Sequence, residues 1–224
     1  MQIDQLIRSK RRSISIEIAP GGKVLVRAPL FATDGMIRSV MEKRAEWIRT
    51  TRARMMKLAP APQARLYASG EQYYFLGKQY PLNVVSKSSS SLKFDEKTGF
   101  TLSAADRSEA LELFIAWYRK QTRTFVSSLI NDYIKRYHFQ VNDLRITSAR
   151  TRWGSCSGKN TISFTYRLIM APPEVVEYVV VHELVHTQIK NHSAQFWAAV
   201  AAIRPGYKKE RAHLKTNGLA YTLE

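Results

Sequence analysis

Three of the chain's five histidines, His182, His186 and His192, lie within one short window, and Glu183 stands beside the first of them. Residues four apart project from the same face of a helix, so His182 and His186 can both aim a ring nitrogen at one Zn²⁺ about 2.0–2.1 Å away. Glu183 sits one position round the helix and does not compete as a ligand. It can reach a metal-bound water and act as general base, which is the chemistry that gives an H-E-x-x-H string its meaning. A hydrolytic zinc needs a third protein ligand and an open position for water. His192 is the candidate, but from a continuous straight helix it could not reach the same ion. The chain must turn first, and Lys190-Asn191 suits that, because asparagine tolerates the left-handed conformation that ends helices. The pattern predicts one Zn²⁺ per chain on His182, His186 and His192, with Glu183 catalytic. Cys156, the chain's one cysteine, is not assigned to the site, since a fourth protein ligand would close it to water.

The elements around these residues follow from their patterning. Pro172-Pro173-Glu174 suits the first turn of the helix carrying the motif. Ser193 can cap a following helix that contains Phe196, Trp197, Val200 and Ile203 and stops at Pro205-Gly206. From about Asp106, apolar residues from Leu111 to Tyr137 recur at steps of three and four, predicting a long amphipathic helix that packs against the motif helix. His138 falls just past its end and reads as a helix-terminal residue. A second β segment starts at Leu144-Arg145-Ile146. Within Asn160 to Leu168, Ile162, Phe164, Tyr166 and Leu168 alternate with Ser163, Thr165 and Arg167. This strand either lines the cleft and pairs with an extended substrate or is an ordinary core strand. Arg152, Trp153 and Arg167 are possible substrate-binding residues; the competing reading is that the arginines fix loops and Trp153 packs. Tyr207, Arg211 and His213 are candidates for stabilising an oxyanion, and no spacing rule selects among them.

The first hundred residues carry no catalytic constellation. Ile14, Ile16 and Ile18 alternate with Ser15 and Glu17; Pro20-Gly21-Gly22 is turn chemistry, and Lys23 to Arg27 reads as a return strand. The basic cluster Arg8 to Arg12 reads as a solvated strand edge. Thr33 or Asp34 can cap a helix running to about Leu58, with Ile37, Val40, Met41, Trp47 and Ile48 on its apolar side and a solvated basic face. Ala59-Pro60-Ala61-Pro62 looks like a linker. Tyr73 to Leu76 and Tyr80 to Val85 predict strands around Gly77-Lys78. Ser86 to Ser91 is a polar tip, and Leu92 to Leu102 suggests a hairpin around Thr98-Gly99. The expected organisation is a β-rich N-terminal region with one helix, residues 1–105, and a zinc hydrolase domain, residues 106–224.

With 45% hydrophobic residues in 224, the chain can build a sizeable core. No apolar run approaches the roughly 18–20 residues of a membrane span. The first residues lack a secretory pattern, and a lone cysteine excludes a disulfide framework within the chain, so a cytoplasmic protein is expected. The net charge of +17 predicts attraction to polyanions, with nucleic acid a possible partner through a basic surface.

Arg152-Trp153-Gly154-Ser155-Cys156, Arg167-Leu168, Ala171-Pro172-Pro173, His182-Glu183-Leu184-Val185-His186, Asn191-His192-Ser193 and Phe196-Trp197 together resemble the YgjP-like metal-dependent hydrolase family, related to the SprT-like and WLM-type zinc peptidases. The metzincins space their third histidine in the same way but place a glycine where this chain has Ile189, and no clear Met-turn follows. The resemblance implies an α+β fold: a minimal, gluzincin-like zincin catalytic domain with a long packing helix and a small antiparallel sheet, preceded by the β-rich N-terminal region. It implies a metallopeptidase with zinc on the three histidines and Glu183 catalytic, acting on protein or peptide. It also implies an alternative, nucleoside-triphosphate (UTP) pyrophosphohydrolase activity, with basic residues holding the triphosphate. A third reading, from the charge, is a nucleic-acid-binding module whose zinc is structural.

Overall fold

A computed structural model of the protein describes residues 2–56, 65–86 and 90–223. The chain divides into two compact units, Met1–Pro62 and Gln63–Glu224. The division expected at 105/106 is therefore not where the contacts separate. The expected linker at 59–62 and the middle of the serine-rich tip lie outside the described residues.

In the first unit, β1 (Gln5–Ser9), β2 (Ser15–Ile18) and β3 (Val24–Pro29) form a sheet in the order β1-β3-β2. The β2–β3 pair is antiparallel, as the alternation predicts, while β1 adds in parallel to the other side of β3. Arg8 accordingly lies on an edge strand, hydrogen-bonded to the Ala32 carbonyl and paired with Asp34 at 2.9 Å. The expected single helix is two, α1 (Asp34–Lys43) and α2 (Ala45–Met56), broken at Arg44. Thr33 caps α1, its hydroxyl accepting from the Met36 N–H at 3.3 Å. Ile37, Met41 and Ile48 join Val24, Val26 and Ala28 in the core. The break takes Trp47 off the apolar side, and it is exposed.

The second unit begins with β4 (Gln72–Phe75), β5 (Lys78–Val85), β6 (Leu92–Asp95) and β7 (Gly99–Ser103), in the order β4-β5-β7-β6. A turn of 3₁₀ helix leads into α3 (Ala110–Tyr137), which ends with His138 in the left-handed conformation. Tyr73 stacks on Phe114 with ring centroids 4.3 Å apart, and Phe100 meets Phe114 and Tyr118. These aromatic contacts make the four-stranded sheet and α3 one core, which is why no boundary falls between them.

The site is built on the remainder. Strands β8 (Asp143–Thr147), β9 (Gly154–Cys156) and β10 (Thr161–Thr165) form a sheet in the order β8-β10-β9. The sheet is mixed rather than wholly antiparallel: β9 makes a hairpin with β10, which returns the chain in the direction of β8. A 3₁₀ turn over Tyr166–Met170 ends β10 earlier than the alternation suggests and leads to α4 (Pro173–Val185). Then follow α5 (Ala194–Ile203), capped by the Ser193 hydroxyl, and α6 (Tyr207–Asn217).

Two devices fix α4. At its start, the β4–β5 turn donates the Leu76 and Gly77 N–H groups to the carbonyls of Ile169 and Met170 at 2.9 and 3.1 Å. Gly77 has φ of 79°, and a Cβ there would lie 2.8 Å from Pro172, so the turn must be glycine to seat against the helix entry. Along its length, α4 buries Val175, Val176, Val179, Val180, Val181, Leu184 and Val185, a helix apolar almost all round and enclosed by α3, α5, α6 and β9.

At the far side, Arg204 donates to Glu177 at 2.6 Å, to Glu210 at 2.5 Å and to the Glu174 carbonyl at 3.2 Å. The Tyr133 hydroxyl donates to the other oxygen of Glu177. The network ties α3, α4 and α6 to the end of α5. Arg204→Met leaves Glu210, whose side chain is 9% exposed, without its partner. The expected loss is about 3 kcal/mol, at the low end for a broken buried pair because Glu177 remains partly solvated. A denaturant midpoint unchanged from wild type would contradict it.

Candidate metal centre and adjoining cavity

His182 lies in the last turn of α4, His186 caps that helix, and His192 comes from the loop before α5. The Nε2 atom of His192 is 3.1 Å from that of His182 and 3.2 Å from that of His186. Ligands on a tetrahedron with bonds of 2.0–2.1 Å would stand about 3.3 Å apart, so the three nitrogens could hold one small ion. His186 Nδ1 donates to the Ile189 carbonyl at 2.9 Å. That bond places the ring's proton on Nδ1 and leaves the Nε2 lone pair facing the other two histidines. Burial, with neighbouring imidazoles adding to it, holds His182 down at about 3 and His186 below the ordinary histidine range. Both are therefore neutral donors at neutral pH, as metal ligation requires. His182 Nδ1 is buried with no hydrogen-bond partner among the described residues.

The turn that delivers His192 differs from the expected one. The helix ends at Val185 rather than at Lys190-Asn191, and neither of those residues has positive φ. Instead, the N–H groups of Thr187 and Gln188 bond three residues back, and the Thr187 hydroxyl donates to the Leu184 carbonyl at 2.7 Å. These bonds tighten the last turn and end the helix. Asn191 acts from its side chain, accepting from the Ser193 N–H at 3.2 Å. Lys190 anchors the loop, donating to Asn160 Oδ1 at 2.6 Å and to the Ser157 carbonyl at 3.1 Å. The left-handed asparagine is thus Asn160, in the β9–β10 turn. Aromatic rings support the imidazoles from α5: Phe196 stacks on His186 at 4.3 Å and Trp197 on His192 at 5.6 Å.

Glu183 is 5% exposed, and burial pushes its carboxyl up to about 8. A cation at the three histidines would oppose that shift and favour the carboxylate. Gly154 of β9 lies against it: a Cβ there would be 2.6 Å from Glu183 Oε1 and 2.7 Å from its Cγ. In the sequence, Gly154 belongs to the Arg152–Cys156 motif with no assigned task. A glycine inside a strand was the available signal, since it marks close approach by another group.

A cavity of about 320 Å³ adjoins His182 and Glu183, lined also by Trp153, Gly154, Tyr178, Val179, Arg211, Leu214 and Lys215. Of the three oxyanion candidates, Arg211 alone lines it. Tyr207 is buried and stacked on Trp197, and His213 hydrogen-bonds the Tyr221 hydroxyl at 2.6 Å. Tyr178, one turn before His182 on the same face, is a wall residue that the motif did not single out.

The possible substrate-binding residues separate. Trp153 lines the cavity together with Gly154, and both also border a smaller one that Arg152 lines. Arg167 is taken up by the fold. It donates to the carbonyls of Tyr221, Arg150 and Gly218 and lies over the Trp153 ring at 5.3 Å, so it braces the C-terminal segment. The strand expected to line the cleft is central: β10 is paired on both sides, and the sheet's edge near the histidines is β9.

An α+β unit that presents three converging imidazoles and a buried glutamate from one helix and its following loop has the make-up of a metal-dependent hydrolase domain. Residues 12–217 match the model of the YgjP-like, metallopeptidase domain, and the chain belongs to that family. No curated protein matches the chain. Among solved structures, the crystal structure of the metallopeptidase zymogen of Pyrococcus abyssi abylysin is similar, at 26% identity over 40% of this chain and 93% of that one, with a TM-score of 0.37. No helix among the described residues is long and apolar enough to cross a membrane.

Reconstituted with zinc and freed of excess metal, the protein is expected to retain one ion per chain by elemental analysis. His186→Ala and His192→Ala are expected to lose it. His138→Ala and His213→Ala, whose rings lie outside the cluster, are expected to keep it, and equal retention by all four variants would refute the assignment.

Proposed function

We propose that the protein is a zinc-dependent peptidase with His182, His186 and His192 as ligands and Glu183 as general base. The observation that carries this reading is the placement of Glu183: its carboxyl is buried in the wall of the cavity that His182 also lines. It makes no hydrogen bond to the described residues that would occupy it structurally. A zinc ion at the three Nε2 atoms would supply Lewis acidity, lowering the pKa of a coordinated water toward ~7 and polarising the scissile carbonyl.

Glu183 takes a proton from the attacking water and returns it to the leaving amine. Gly154 allows the carboxyl to stand where it does. Its backbone belongs to the edge strand β9, whose pairing with β10 aligns Ser155 with Ser163 and leaves the opposite side of the strand for an extended peptide. Arg211 also lines the cavity, held over the Trp197 ring at 4.6 Å. This arrangement serves a peptide better than the alternative nucleotide substrate, because Arg167 and its neighbouring loop are engaged in the fold and do not form a triphosphate cradle.

The deciding experiment compares zinc-loaded wild type and Glu183→Gln on casein, on casein with single-stranded DNA, and on UTP. Casein cleavage is expected, with a loss of about 100-fold or more in Glu183→Gln. Equal rates in the two proteins would sink the mechanism, and turnover of UTP alone would replace the substrate class. Faster casein cleavage with DNA present would add nucleic acid as a partner for the basic surface.

Gly154→Ala separates the base from the metal. The new Cβ cannot stand 2.6 Å from the carboxylate oxygen, so Glu183 must shift. Zinc content is expected to stay at the wild-type level while kcat falls by about tenfold or more. Retention of full kcat would show that the contact has no catalytic consequence.

A further inference from the structure

The cavity beside the histidines has an uneven charge. Arg211 and Lys215 lie one helical turn apart on α6 and both line it. Among the described residues neither makes a hydrogen bond or an ion pair, whereas the other nearby arginine, Arg204, is fully engaged with Glu177 and Glu210. Glu183 is the one acid in the lining. The rest of the wall is His182, Gly154, Trp153, Tyr178, Val179 and Leu214, mostly apolar or aromatic.

Arg211 is also placed by its neighbours. It lies over Trp197, which stacks on Tyr207 at 5.4 Å with an interplanar angle of 17°. The guanidinium thus has an aromatic seat that holds it at the cavity, with its donors still unspent. Lys215 contributes a second cation on a longer, more mobile stem. Two cations over an apolar wall fit a group with a short hydrocarbon stem and an anionic end. At about 320 Å³ the cavity is at the small end of ligand pockets and has ample room for one such side chain.

Building on the peptidase reading, we propose that this cavity is a specificity subsite for an acidic side chain adjacent to the scissile bond. Arg211 and Lys215 are its selecting residues. Glutamate or aspartate at that position is favoured, and lysine or arginine is rejected by like charge.

The test uses the zinc-loaded protein and a set of quenched-fluorescent peptides differing at one position, with Glu, Gln or Lys placed in turn on each side of the cleaved bond. The same peptides are titrated calorimetrically into Glu183→Gln. Wild type is expected to prefer Glu to Lys by about tenfold or more in kcat/KM on one side of the bond. Arg211→Glu/Lys215→Glu is expected to reverse that order, and Lys215→Glu alone, which leaves the Trp197 stack intact, to reduce it. Charge-dependent peptide binding without cleavage by the zinc-loaded protein would keep the subsite and remove the peptidase reading. Cleavage with the same ranking in wild type and both variants would overturn the subsite and leave the peptidase reading standing. Absence of both binding and cleavage for every peptide would overturn both.

Discussion

Three imidazoles converge with the His192 Nε2 atom 3.1 and 3.2 Å from those of His182 and His186; protonated rings there repel one another, and neutral rings carrying the proton on Nδ1 turn lone pairs towards one another. A folded chain brings them together only when the elements carrying them are fixed independently of that contact. Much of the second unit is arranged to do this. The Gly77 turn seats the entry of α4, Thr187 and Lys190 shape its exit, and Phe196 and Trp197 back the rings. Burial keeps His182 and His186 neutral, so the repulsion of charged rings is avoided and the lone pairs are available to a cation.

The same helix has a second constraint. Glu183 must stand beside the histidines and in a nearly dry wall, where a carboxyl is costly to ionise. Gly154 supplies the space, and the adjoining cavity opens beside the carboxyl. In the proposed peptidase, the base and the substrate-facing wall are thus set by different elements: Glu183 by α4 and β9, Arg211 and Lys215 by α6. On that proposal, changes on α6 would alter which substrate enters without moving Glu183, the separation on which selection by Arg211 and Lys215 would rest.

Stability and chemistry also divide between the helix's two faces. Arg204, Glu177, Tyr133 and Glu210 form a charge network that resembles a site in composition but is internally satisfied. Arg167 is a similar case, its donors given to backbone carbonyls of the C-terminal segment. Around the histidines the polar groups are instead left with unspent capacity. A network with every donor matched braces a fold, whereas unmatched donors converging on a cavity are open to a ligand.

The sequence by itself determined the local chemistry. The four-residue spacing of His182 and His186 places them on one helical face, Pro172-Pro173 starts that helix, Ser193 caps the next, and the heptad-like recurrence from Leu111 to Tyr137 specifies α3. These follow from backbone periodicity and hydrogen-bond satisfaction within a few residues, so they are legible without a partner. The division at Pro62, the parallel addition of β1, the edge position of β9 and the meeting of Gly154 with Glu183 depend on contacts between residues far apart in the chain. The turn before His192 depends on them too: Lys190 reaches back to Asn160, so the left-handed asparagine that the local sequence placed at 191 stands instead at 160. No local propensity encodes which strand ends at an edge or which arginine has its donors left over. Those are outcomes of packing, and they decide what the three histidines and the glutamate can act upon.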